Sequence, residues 1–299
     1  KNFRQLNSKT PGHPEFGHTQ GIEVTTGPLG QGFATGVGMA MAEAHLAATF
    51  NNDKFKLFDH YTYAIVSDGD LMEGISHEAA SLAGHQKLGK LIYLYDANSI
   101  SIDGHTDLSY SEDARKRFES YGWHVSEVDG HDRQAIAKHI KDAQTENSKP
   151  SLIICRTHIG YGSPNKQDSA SSHGAPLGED EINAAKQFYG VDPKVKFEVS
   201  EEVYALYKDS LDTQKEALIA WTNQLDEYKK HYPQLAEQLS QAMDAYDVAK
   251  LEAKLPSFEA DAKGMATRKA SGKVINAIAS EVPTFFGGSA DLTGSVVTW

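Results

Sequence analysis

A doubly wound α/β fold around a parallel sheet is the class this sequence predicts, and three observations predict it. Helical and strand-like stretches alternate from residue 29 to residue 157. The strand-like stretches are rich in β-branched and aromatic residues, and intervening helices impose parallel pairing with both faces covered. Strand after strand also runs into a polar end: Asp68, Asp96 with Asn98 two residues on, and Thr157-His158. In a parallel sheet these ends share one edge, where such folds bind ligands.

The elements follow in order. LGQGFATGVGMAMAEAHLAATF (29–50) is Ala-rich and helical, YTYAIVSD (61–68) is a buried strand, and LMEGISHEAASLAGHQKL (71–88) is a helix. LIYLYD (91–96) is a strand, SEDARKRFESYG (111–122) a helix, and WHVSEVDG (123–130) a strand. DRQAIAKHIKDAQTE (132–146) is helical, and PSLIICRTH (150–158) is the last strand of the series. After residue 190 the character changes. Residues 212–232 carry Leu218, Trp221, Leu225 and Tyr228 at spacings of three and four, one helical face expected to pack on the body of the protein. Pro233 starts another helical run, 256–263 reads as a connection, 267–280 as a helix and Thr284-Phe285-Phe286 as a short strand before GGSADL. This resembles the beginning of a further α/β unit.

Composition narrows the function. Apolar residues at 39% and charged residues at 23% describe a folded globular chain. Asp and Glu outnumber Lys and Arg by 41 to 29, a net charge of -12, which argues against nucleic acid or an anionic membrane as partner. The single Cys155 leaves no internal disulfide framework or Cys-rich metal site, and fits a reducing, cytoplasmic setting. No apolar run approaches the roughly 18 residues of a membrane span, and KNFRQLNSKT lacks the apolar core of a signal peptide. Several of the thirteen histidines stand beside glycine in turn-like contexts, among them His13 and His173. A histidine in such a loop meets ligands more readily than one in a core.

The stretch YAIVSDGDLMEG (63–74) concentrates the chemistry. A tight turn capping a helix explains Asp68-Gly69-Asp70 as well as a ligand site does. Thirty residues further on, about one helix plus one strand, stands Asn98, which places it on a neighbouring strand end. Magnesium takes near-octahedral oxygen coordination, usually one or two protein oxygens with phosphate oxygens completing the shell. Asp68, the Asn98 amide and a backbone carbonyl just after it meet that demand, while Gly69 lets a phosphate approach the backbone. Asp70 falls to turn or cap duty, so Asp68→Ala is expected to abolish metal-dependent binding and Asp70→Ala to change little.

An Asp-Gly pair after a strand with Asn about thirty residues later resembles the thiamine diphosphate signature, with Ser67 in place of its first glycine. The words KTPGHPE (9–15), TTGPLGQG (25–32), DHYTY (59–63), SDGDLMEGISHEAASLAG (67–84), SIDGH (101–105), IGYGSPNK (159–166), SHGAPLG (172–178) and FGGSADL (286–292) resemble the transketolase family over nearly the whole chain. The resemblance implies that Asp68, Asn98 and the Ile100 carbonyl hold Mg2+ or Ca2+, and that Gly69 and His173 meet the diphosphate. It implies that Gly27, Pro28 and Leu29 reach the aminopyrimidine of thiamine diphosphate. His13, with His173, would meet the sugar-phosphate substrate, whose phosphate end falls to Arg268 and Ser295. Asp291 would be a cofactor-site carboxylate from a second domain, and Glu73 would communicate with the partner subunit of a homodimer. The implied domains are a diphosphate-binding domain over 1–235, incomplete at its start, and a linker with the beginning of a pyrimidine-binding domain over 236–299. The implied reaction is transfer of a two-carbon ketol unit from a ketose phosphate to an aldose phosphate in the pentose phosphate pathway, with the cofactor supplying the hard chemistry. The chain is expected to be roughly the middle half of such an enzyme, from a protein of greater mass than 32.7 kDa.

Rival readings are weaker. Gly30-x-Gly32-x-x-x-Gly36 imitates a dinucleotide loop, but it lacks a firm preceding apolar strand and an acidic residue about twenty positions after it on a second strand. His77-Glu78 begins a zinc helix motif that Ser81 breaks. A dihydroxyacetone synthase or phosphoketolase shares the fold and cofactor. A non-catalytic cofactor-binding fragment or subunit fits a chain holding only part of a site.

Overall fold

The computed structural model describes residues 2–243, 247–282 and 284–298. The chain divides into two units, Lys1–Asn51 with Phe58–Asp209, and Asn52–Leu57 with Ser210–Trp299.

The first unit is the expected parallel α/β sheet. Its strands β1 (Thr62–Ser67), β2 (Leu91–Ala97), β5 (His124–Asp129) and β6 (Ser151–Arg156) lie in the order β1-β2-β6-β5, every pair parallel. A two-residue antiparallel hairpin, β3 (Ile100–Ser101) with β4 (Gly104–His105), follows β2. Alternation along β2 sorts the two faces. Leu91, Tyr93, Tyr95 and Ala97 join a core with Phe33 and Val37 of α1 (Gln31–Phe50), Ala80 and Ala83 of α3 (Gly74–His85) and Phe118 of α4 (Ala114–Ser120). Ile92, with Ile153, faces Ala143 and Ile140 of α5 (Arg133–Thr145) instead. Crossovers running from β1 toward β5 thus use one face and the return from β5 to β6 uses the other, as a constant right-handed crossover demands. Two polar tips inside the core are satisfied: the Tyr93 hydroxyl donates to Phe33 C=O at 2.6 Å and Trp123 Nε1 to Ala80 C=O at 2.8 Å.

Two local departures have physical causes. The helix expected over 71–88 starts earlier and is broken in two. A capping box starts α2 (Asp68–Met72) directly at the strand end, and Glu73, in extended conformation at φ -77° and ψ 135°, ends α2 and caps α3. The helix expected from residue 29 starts at Gln31, because Gly30 is left-handed with φ 77°.

After α6 (Glu179–Phe188) of the first unit, α7 (Glu201–His231), whose residues from 210 on belong to the second unit, is longer than the sequence predicts. Its apolar face is only partly used. Tyr228 is fully buried against Phe55, their rings edge to face at 5.5 Å, and Trp221 Nε1 donates to Leu57 C=O at 2.9 Å, but Leu218 is 62% exposed. After α8 (Pro233–Met243) and α9 (Val248–Glu252), α10 (Thr267–Ile278) packs on the one-turn α11 (Thr293–Val296) where Gly272 lies beneath Val297. Residues 284–286 form a turn and irregular backbone, not the expected strand. A strand exists only as a rung of a ladder, and among the described residues this unit has no sheet.

Candidate functional site

The carboxyl edge of β1 and β2 gathers the polar strand ends. Register pairs Ser67 with Asp96, so Asp68 and Asn98 emerge side by side just beyond the ladder. Asp68 is 4% exposed. The Tyr95 hydroxyl donates to one of its oxygens, and the Ser99 N–H donates to the other at 3.1 Å. Ser99 lies between Asn98 and Ile100 and takes a left-handed φ of 62°, which curls this turn back over β1. Asn98 Oδ1 accepts the Ile100 N–H at 3.0 Å, and its Nδ2 donates to Asp96 at 3.3 Å. Asp96 in turn accepts the Thr157 hydroxyl from the end of β6. Three neighbouring strand ends are thereby tied together.

Electrostatics set this cluster apart. Burial is the largest cause holding the Asp68 carboxyl above the usual carboxylate range, with repulsion from Asp96 adding to it. Hydrogen bonds from Tyr95, Ser99 and Asn98 act against these. The Tyr95 hydroxyl is pushed up, first by burial and then by its bond to Asp68, so the shared proton stays on the phenol. A buried carboxylate beside an amide oxygen and a backbone turn suits a hard divalent ion. Among the described residues no group of three or more His, Cys, Asp or Glu side chains could hold a metal. A magnesium site completed by phosphate oxygens needs only one such side chain.

A second segment closes on this edge. A Cβ on Gly69 would meet the Leu29 methyls at 3.3 and 3.5 Å, so Leu29 lies directly over the glycine. A Cβ on Gly27 would stand 2.6 Å from the His13 ring, and Gly27 has φ 134°. Hydrogen bonds from Thr26 N–H to Pro14 C=O at 3.2 Å and from Phe16 N–H to the Thr25 hydroxyl at 2.9 Å hold this loop pair together. Leu29 over Gly69, and Gly27 against His13, thus bring this loop pair to the strand end that bears Asp68. Glu73 stands exposed at the α2–α3 break with its Cβ against Gly30. His173 is exposed at the end of the 3-10 turn Ala170–Ser172, in the loop that leaves β6. Asp291, Arg268 and Ser295 belong to the second unit, all exposed, Arg268 four residues from the Gly272 contact that joins α10 to α11.

Sequence reasoning overlooked Tyr95 and Ser99. A tyrosine alternating inward on a buried strand must find a partner for its hydroxyl, and that was the available signal. It also gave Asp70 too small a part. Asp70 does complete the capping box, its Oδ2 accepting the Ser67 N–H and hydroxyl at 2.9 Å each, but its Oδ1 accepts the Gly30 N–H at 3.0 Å.

Fold and site together define a parallel α/β domain that presents a buried carboxylate and a glycine at the carboxyl edge of its sheet, where folds of this class bind their ligands. Residues 1–247 match the family described as transketolase, thiamine diphosphate binding domain. A transketolase from Geobacillus stearothermophilus is 54% identical over 299 residues, covering 99% of this chain and 44% of the relative. One from Halalkalibacterium halodurans is 52% identical over 296 residues, with the same two shares of 99% and 44%. Among solved structures, transketolase from Leishmania mexicana superposes with a TM-score of 0.92 at 44% identity, over 100% of this chain and 44% of that one. Transketolase from Pichia stipitis in complex with sedoheptulose-7-phosphate gives 0.91 at 45% identity over 100% and 44%. The chain belongs to the transketolase family and spans under half the length of these relatives.

Proposed function

We propose that this chain supplies the diphosphate- and metal-binding part of a transketolase, which moves a two-carbon ketol unit from a ketose phosphate to an aldose phosphate. The buried Asp68 carboxylate, held beside the Asn98–Ile100 turn, is the observation that carries the reading. Asp68, the Asn98 amide oxygen and the Ile100 carbonyl would hold Mg2+, or Ca2+ in its place. Gly69 and His173 would meet the diphosphate, and Gly27, Pro28 and Leu29 the aminopyrimidine. Thiamine diphosphate, when bound, supplies the carbanion chemistry.

The chain's own residues bind and orient. His13 donates to or accepts from substrate hydroxyls, and Leu29, its methyls over Gly69, stands where the ring end of the cofactor would meet it. Arg268 and Ser295 grip a sugar phosphate by charge-assisted hydrogen bonds. Pichia stipitis relatives were solved with fructose-6-phosphate and sedoheptulose-7-phosphate, both ketose phosphates, which supports this substrate class. Residues 1–235 would be the diphosphate-binding domain and 236–299 the connection to, and start of, a pyrimidine-binding domain that brings Asp291. Glu73 would face a second subunit in a cytoplasmic homodimer serving the pentose phosphate pathway.

Calorimetry tests the reading on the intact protein that contains this sequence. Thiamine diphosphate is expected to bind only with magnesium or calcium, and Asp68→Ala to remove that binding, with ketose-phosphate turnover lost alongside. Metal-independent binding, or an Asp68→Ala variant that binds normally, would sink the metal assignment.

A further inference from the structure

Asp70 divides its two carboxylate oxygens between two chain segments. Oδ2 serves its own turn, accepting the Ser67 N–H and hydroxyl at 2.9 Å each. Helix capping asks for nothing more. Oδ1 reaches a residue forty positions away, accepting the Gly30 N–H at 3.0 Å. Gly30 is the N-cap of α1, left-handed at φ 77° with no side chain to cap it, and a Cβ there would meet Ile75 at 2.7 Å and Glu73 at 2.9 Å. Its backbone is therefore pressed against the α2–α3 break, in a conformation that favours glycine, and Asp70 is the acceptor it finds there. Next to it Leu29 covers Gly69.

We propose that Asp70 is a positioning residue that locks the Gly27–Gly30 segment onto the strand end bearing Asp68 and Gly69. Resting on the functional reading above, this makes one carboxylate set the spacing between the residues assigned to the aminopyrimidine and those assigned to the metal and diphosphate. A cofactor gripped at both ends is sensitive to that spacing, whereas a ligand gripped at one end is not. The expectation that Asp70→Ala changes little is thereby replaced.

The test uses two probes on the intact protein: thiamine diphosphate with magnesium, and magnesium pyrophosphate, which lacks the ring. Asp70→Ala is expected to weaken thiamine diphosphate by about tenfold to a hundredfold, the scale of one hydrogen bond to a charged group, while leaving magnesium pyrophosphate within about twofold. Asp70→Asn keeps an oxygen for Gly30 and is expected to restore most of the loss. Ser67→Ala disturbs only the capping side and is expected to cost less than about threefold, well below a full charged hydrogen bond. Equal weakening of both probes by Asp70→Ala, or a Ser67→Ala loss that matches it, would reduce Asp70 to a cap and overturn the proposal. Amide hydrogen exchange at Gly30 in the unaltered protein needs no variant: slow exchange supports the lock, and exchange at the rate of an open amide contradicts it. Unaltered protein that binds neither probe overturns the functional reading and this proposal with it. Normal binding of both, with the variant pattern absent, overturns this proposal alone.

Discussion

The hydroxyl of Tyr95 lies on the Asp68 carboxylate with its proton directed at the oxygen, while Ser99 N–H holds the other oxygen. An acceptor fixed from two sides presents its remaining lone pairs in one direction, as supporting hydrogen bonds do around metal ligands. Tyr95→Phe is expected to keep the fold and lower magnesium-dependent thiamine diphosphate affinity by about tenfold or more, the cost typical of losing such a partner; calorimetry showing unchanged affinity contradicts it. A second carboxylate behaves in the opposite way. Glu181 accepts from the Ser163 hydroxyl, the Asn165 N–H at 2.8 Å and Asn165 Nδ2 at 2.9 Å, with the Ser163 bond foremost in holding its carboxyl down to about 2. A depressed carboxyl stabilises the fold above its ordinary value of 4.5 and loses that contribution as pH falls toward 2. Melting temperature measured across this window is expected to fall less steeply in Glu181→Gln than in the unaltered protein. Asp68 and Asn98 were legible in the sequence because strand ends and a thirty-residue spacing fix them. Tyr95 was not singled out, because its partner depends on how β1 and β2 are matched.

At the scale of elements, glycines mark where two backbones approach too closely for a side chain. A Cβ on Gly84 in α3 would stand 1.8 Å from the Tyr121 carbonyl oxygen, whereas one on Gly38 in α1 would meet nothing within 4 Å. Gly84→Ala is expected to destabilise by about 1–3 kcal/mol through forced backbone shifts, and Gly38→Ala to stabilise by about 0.5–1 kcal/mol through helix propensity. Urea unfolding of both variants checks the pair, and a Gly84→Ala variant as stable as the parent contradicts the close packing of α3 on the α4–β5 connection. All four strands and the helices between them were legible, because apolar runs and helical periods differ in kind. The break at Glu73 was not, since one extended residue between two helical stretches leaves no periodic trace. The β3–β4 hairpin was missed for the same reason, being only two residues a side.

At the scale of the whole molecule, the sequence indicated the two-faced sheet and that β1 and β2 are neighbours, but not where β5 and β6 lie. Alternation states which residues share a face and says nothing of lateral order. The observed order β1-β2-β6-β5 places the last strand made between two earlier ones. A chain cut at residue 150 leaves β2 and β5 without the neighbour they share, and is expected to lose the cooperative unfolding transition seen by circular dichroism. Cooperative melting of that shortened chain would contradict a sheet closed by β6. The same order has a consequence during synthesis. A ribosome that has finished β2 at residue 97 must add 59 more residues to reach 156 before the sheet can close, roughly 3 to 12 seconds at usual elongation rates. Through that interval the apolar runs around Ile92 and Tyr93 stand open, and a nascent-chain chaperone has its window.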